Sequence, residues 1–196
     1  LNHNLNKNQT ANIKKDLKVP TQALLDIKVF PNITKIREGV NLFSEVFPFH
    51  PLTAFILPLL AQKLAQNERT VFTFLGSSET LGFQDLISQL DFPEMIMPHH
   101  IFDYFVNHQG SYIFDHLTHR RWIEVLNAID RAGDQDEETV KILKTIGLLN
   151  IIGSIANLRS SNELLSIIFS SKVLKKSIAA LQEKSLITYR KHSDEY

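Results

Sequence analysis

The sequence contains no cysteine, which excludes a disulfide framework and a thiolate-ligated metal centre, fits a reducing compartment and makes the cytoplasm the expected location. Charge of either sign is not in excess: 21 Lys and Arg stand against 21 Asp and Glu. No global pull on nucleic acid therefore operates, and a basic patch has to be found by position. No run approaches the roughly 18 uninterrupted apolar residues of a membrane span, so no membrane partner is expected. The start, Leu1-Asn-His-Asn, has neither an initiating Met nor a signal-peptide pattern, and the chain reads as a fragment of a longer protein. Also missing are G-x-x-x-x-G-K-[ST], G-x-G-x-x-G, a serine nucleophile elbow and H-E-x-x-H. Without a complete catalytic constellation, the chain is expected not to be an enzyme on its own and to hold no cofactor or metal. Internal repeats and low-complexity tracts are absent as well.

What is present is a folding composition. With 196 residues, 43% of them hydrophobic, the chain can build one substantial core or two small ones. Residues 1–42 begin with a polar Asn-, Lys- and Gln-rich stretch up to about Pro20, which reads as a solvated lead-in or the remnant of a preceding domain. The apolar run Ala23 to Phe30 that follows is too short for periodicity to separate helix from strand. Residues 43–133 carry helical spacing: Leu52, Phe55, Ile56, Leu59, Leu60 and Leu64 after Pro51, with a kink expected at Pro58. Val71, Phe72, Phe74 and Leu75 follow, then Phe83, Leu86, Ile87 and Leu90, then Ile101, Phe102 and Phe105. A helix with Trp122, Ile123, Leu126 and Ile129 runs out at Gly133. The acidic link Gly133 to Glu138 is the expected domain boundary, because composition shifts and a new helix can start at Asp136 with acids in its first turn.

Residues 134–196 have a different order: three helices, the last over 172–184, then a strand-like Leu186-Ile-Thr-Tyr-Arg190 and a polar turn, Lys191 to Glu195. That order is the order of a winged helix with a truncated wing. The fold class expected is mainly α, a helical bundle followed by a winged-helix-like module.

Several side chains could carry chemistry. Between two apolar patterns stands the polar string Gln66-Asn-Glu-Arg-Thr70. Arg69, beside Asn67, Glu68 and the N–H groups of a helix start, sits where an anion could be received. The plainer reading makes Asn67 a cap and Glu68 and Arg69 a solvated pair. Arg120 and Arg121 directly precede Trp122 and could contact phosphate or stack in an interface, or Trp122 is core and the arginines surface. Lys172, Lys175, Lys176, Lys184, Arg190 and Lys191 face only Glu183 as a nearby acid, a locally basic face suited to DNA phosphates, or else a solvated one. His50 before Pro51 reads as a capping or packing residue. His99, His100, His108, His116 and His119, with Asp103 and Asp115, match no strong metal spacing, so no metal site is expected.

The strings Pro48-Phe-His-Pro-Leu-Thr53 and Gln66-Asn-Glu-Arg-Thr-Val-Phe-Thr-Phe-Leu75 resemble a region of large bacterial P-loop ATPases of the AAA+/STAND kind, several belonging to anti-phage or restriction-type systems. Ile101-Phe-Asp-Tyr-Phe105, His119-Arg-Arg-Trp122, Lys144-Thr-Ile-Gly-Leu-Leu149 and Leu181-Gln-Glu-Lys-Ser-Leu-Ile-Thr-Tyr-Arg190 look like the same family in the same order. The resemblance implies a helical lid and a winged helix after an upstream nucleotide-binding core, with ATP and Mg2+ in the parent protein. It implies Arg69 as an arginine finger or sensor, and Asn67, Glu68, Arg120 and Arg121 in support. Partners would then be the upstream core, other subunits of the same protein and duplex DNA. The lack of Walker motifs departs from the family and places any ATPase activity in the parent chain. Other readings of the residues are an ATP-independent DNA-binding transcriptional regulator and a helical protein-interaction scaffold.

Overall fold

A computed structural model describes residues 7–63, 67–108, 119–153 and 158–196. Among them the chain is mainly helical, with ten helices and no strand. It divides into two compact units, Leu1–Tyr104 and Phe105–Tyr196.

The first unit begins with α1 (Lys7–Asp26), where a solvated lead-in was expected. Ile13, Leu17, Thr21 and Leu24 are all buried, a stripe of helical period that only a 20-residue view reveals. Pro20 lies inside this helix and on its own costs about 3 kcal/mol. Full burial of Leu17 and Leu24 contributes roughly 1.5–3 kcal/mol each, so packing outweighs the proline. α2 (Ile36–Glu45) lies against α1, and Gly39 permits the close approach, since a Cβ there would lie 2.8 Å from Thr21 Cγ2.

α3 (Pro51–Lys63) opens on Pro51 as expected and buries Leu52, Ile56, Leu57 and Leu60, with Pro58 on its exposed side. α4 (Asn67–Gly76) and α5 (Phe83–Gln89) follow, then α6 (Pro98–His108), within which the division between units falls. The segments that enter α3 and α6 are tied by a parallel bridge. Ile96 N–H donates to Pro48 O at 2.8 Å and His50 N–H donates to Ile96 O at 3.1 Å. Aromatic rings fill the space between helices, with Phe49 stacked on Phe83 at 5.4 Å and Phe74 edge-on to Tyr104 at 4.8 Å.

The second unit holds the end of α6 together with α7 (His119–Ala132), α8 (Glu137–Ile152), α9 (Asn162–Ile168) and α10 (Ser171–Glu183). The acidic link that composition marked as a domain boundary is instead a turn inside this unit. Gly133 takes φ +58 at the end of α7, Asp136 caps α8 by accepting the Thr139 N–H, and the two helices pack together. Their crossing is made at Gly147, where a Cβ would lie 2.7 Å from Val125 Cγ2 and nearer still to Cγ1. α7 thus belongs with the last three helices. α8 is buried nearly all round, from Thr139 to Ile152, as a helix wrapped on several sides must be. α10 turns Leu174, Ser177, Ile178 and Leu181 inward, and Thr139 Oγ1 donates to Ser177 Oγ at 2.8 Å.

Leu186 to Arg190, expected as a strand, forms none. Its pairing is one antiparallel bridge between Arg190 and Glu195, whose N–H to carbonyl distance is 2.7 Å. Tyr196 N–H donates in turn to Ser160 O at 3.2 Å.

Candidate functional site

The lysines expected to meet phosphate lie on α10 and the terminal turn. The inward set Leu174, Ser177 and Ile178 leaves Lys172, Lys175 and Lys176 exposed. They are not equivalent. Lys176 Nζ lies 2.7 Å from Asp136 Oδ2, the acid that caps α8, in a pair exposed on both sides. Lys184, likewise, donates to Ala132 O at 2.8 Å and satisfies a carbonyl at the end of α7. Lys172, Lys175 and, in the turn, Lys191 are exposed and make no ion pair or side-chain hydrogen bond among the described residues.

A second basic set surrounds a cleft of about 600 Å³ in the same unit. Arg120 and Arg121 reach it from the first turn of α7, and Arg190 and Glu195 from the terminal bridge. Asn150 and Gly153 contribute the end of α8, and Val125, Ala128 and Leu186 are among the apolar lining. Arg120 is 90% exposed and pairs through Nε with Glu124 Oε1 at 3.0 Å. Arg121 Nη1 donates to the carbonyl oxygen of Asn150. Arg190 Nη1 is 3.9 Å from Glu195 Oε1, an ion pair too long for a hydrogen bond. Trp122, which directly follows these two arginines, is fully buried. Sequence placed Arg120 and Arg121 beside a nucleotide and Arg190 on DNA; the structure gathers all three around one cleft.

Asn150 was missed by sequence reasoning. Its Nδ2 donates to Tyr196 O at 3.0 Å, and its Oδ1 accepts from Ser160 Oγ at 3.0 Å. One side chain therefore ties the end of α8 to the segment before α9 and to the terminal turn. The available signal was a lone amide inside the apolar run Leu148-Leu-Asn-Ile-Ile152, since a polar group in such a run needs partners.

In the first unit, Asn67, Glu68 and Arg69 stand in the first turn of α4, and their side chains lie outside the described residues, as does Gln66. His50 is buried, accepts the Leu52 N–H on Nδ1 at 3.3 Å and has its pKa pushed down to about 4 by burial. It therefore acts within the fold at the entrance of α3. His99 is buried with its ring 4.1 Å from that of His100, whose Nδ1 accepts the Met97 N–H at 2.9 Å. Asp115 and His116 lie outside the described residues. Among the described residues, no three His, Asp or Glu side chains are grouped to hold a metal ion. Nor is any described helix long and apolar enough to cross a membrane.

Comparison of the chain with protein-family models, with curated proteins and with solved structures gives no match in any of the three.

Proposed function

We propose that this chain is a non-catalytic regulatory module whose second unit is a winged helix that grips duplex DNA. The observation that supports the reading is the backbone pairing after three helices. Ser160 lies beside Tyr196, and Glu195 beside Arg190, so a segment between the first two helices runs next to a terminal turn, as in a three-stranded wing. In that arrangement α10 is the helix offered to the major groove. Lys172 and Lys175 on it, and Lys191 in the wing, are the exposed cations left for phosphates, while Lys176 is held by Asp136. Phosphate contacts set position rather than sequence. Binding of the chain to duplex DNA, weakening with salt and with loss of Lys172 and Lys175, is the test; no retention at low salt overturns the reading.

The sequence resemblance supports setting this module beside a P-loop nucleotide-binding core, with ATP and Mg2+ there and Arg69 as the arginine that senses the bound nucleotide. In the complete protein, Arg69→Ala should then lower ATP hydrolysis by orders of magnitude, as loss of an arginine finger does in other P-loop proteins. Unchanged turnover removes Arg69 from that role.

A further inference from the structure

The cleft of the second unit draws guanidinium groups from two elements far apart in sequence, Arg120 and Arg121 from α7 and Arg190 from the terminal turn. In a chain with 21 basic and 21 acidic residues, this gathering is not a by-product of overall basicity. None of the α10 lysines lines the cleft, so it is a place apart from the proposed DNA face.

The contacts these arginines make use only part of their capacity. A guanidinium has five N–H donors in a planar fork. Among the described residues, Arg120 engages Nε with Glu124, Arg121 engages Nη1 with the Asn150 carbonyl, and Arg190 makes the 3.9 Å approach to Glu195. Against these partners most of the donors are left for a ligand. The α7 start adds the positive end of its dipole. The opposing carbonyl end of α8 is partly neutralised, because Arg121 takes the Asn150 oxygen. Glu124 and Glu195 are the groups an anion must displace: the Arg120–Glu124 pair is exposed and so holds weakly, and the Arg190–Glu195 pair is stretched to 3.9 Å.

Size and lining narrow the ligand. About 600 Å³ falls in the range of small-molecule sites and far exceeds a lone oxyanion. Val125, Ala128 and Leu186 are only partly buried in its lining and offer an apolar surface beside the arginines.

We propose that this cleft binds a phosphorylated small molecule, its phosphate chain held by Arg120, Arg121 and Arg190 and its organic body resting on Val125, Ala128 and Leu186. The full chain, labelled with nitrogen-15, is titrated with inorganic pyrophosphate and with a nucleoside triphosphate while amide shifts are followed. Both probes should give saturable shifts around residues 120–128, 147–153 and 186–196, with the triphosphate tighter because it adds an organic body. Arg120→Gln with Arg190→Gln should weaken binding about tenfold or more, as loss of charge-assisted hydrogen bonds does. Arg121 is left in place because it also holds α8. Glu195→Gln should tighten binding by removing a competing carboxylate, a gain that a merely structural role for these residues does not produce. Lys172→Gln with Lys175→Gln should leave affinity within about twofold, so failure of DNA binding and failure of this site are separable. Absence of saturation with either probe, shifts centred on α10, or equal affinity in the Arg120 and Arg190 variant overturns the proposal.

Discussion

Asp136 and Lys176 are joined across 40 residues by a 2.7 Å contact, and the same carboxylate accepts the Thr139 N–H at 2.9 Å through its other oxygen. One acid thus caps α8 and fastens it to α10. The Lys176 hydrogen bond, followed by those from Thr139, pulls the Asp136 pKa down to about 2 from its ordinary 3.8. Because the folded value is depressed, its contribution to stability is fully present above about pH 4 and is lost as pH falls toward 2. Lys176→Met should raise the Asp136 pKa and move that loss to higher pH, which carboxyl-detected NMR titration measures. An unchanged Asp136 titration contradicts the clamp.

His50 gives the first unit a pH dependence in a different window. Burial lowers its pKa from 6.5 to about 4, so the neutral ring is the folded form. The stability this contributes is present above about pH 6.5 and falls as pH drops toward 4, by about 3 kcal/mol in total. Protection factors of the α3 amides, corrected for intrinsic exchange, should fall across that range. His50→Asn keeps an acceptor suited to a helix start and should flatten the response; the same fall in the variant excludes His50 as its cause.

At the α7–α8 crossing, Gly147 is expected to resist even a methyl. Alanine gains about 1 kcal/mol in helix propensity, but its Cβ would press on Val125, a β-branched side chain with one preferred rotamer in a helix. Overpacking costs about 1–3 kcal/mol, so Gly147→Ala should be destabilising overall. Adding Val125→Ala should recover part of the loss, a coupling expected of touching residues. Trp122 is the sole tryptophan and lies in α7, so denaturation followed by its fluorescence reports on this unit. Additive losses contradict the contact.

Local pattern made α3, α5 and α10 legible, because their apolar residues recur at helical spacing over a few turns. It also placed the start of α8 at Asp136, where an acidic residue precedes a long apolar helix. α1 was not legible: its buried stripe is sparse among Lys and Asn, and Pro20 argued for an end where packing on α2 sustains the helix. The boundary at 133–138 misled because a polar turn between packed helices has the composition of a linker. Of the candidate site, residue types were visible but not company. Nothing local pairs Lys176 with Asp136, or brings Arg190 to the cleft of Arg120 and Arg121, since contacts across 40 residues or more depend on how helices cross.

The proposed DNA face is tested most directly by the salt dependence of binding to a short duplex. The chain should bind at low salt and lose affinity linearly on a log–log scale. Lys172→Gln with Lys175→Gln should reduce the magnitude of that slope by about 2, one counterion for each phosphate contact removed. Lys176→Gln should change it little, since that ammonium is paired with Asp136. No binding at low salt, or the same slope after both lysines are removed, contradicts the account.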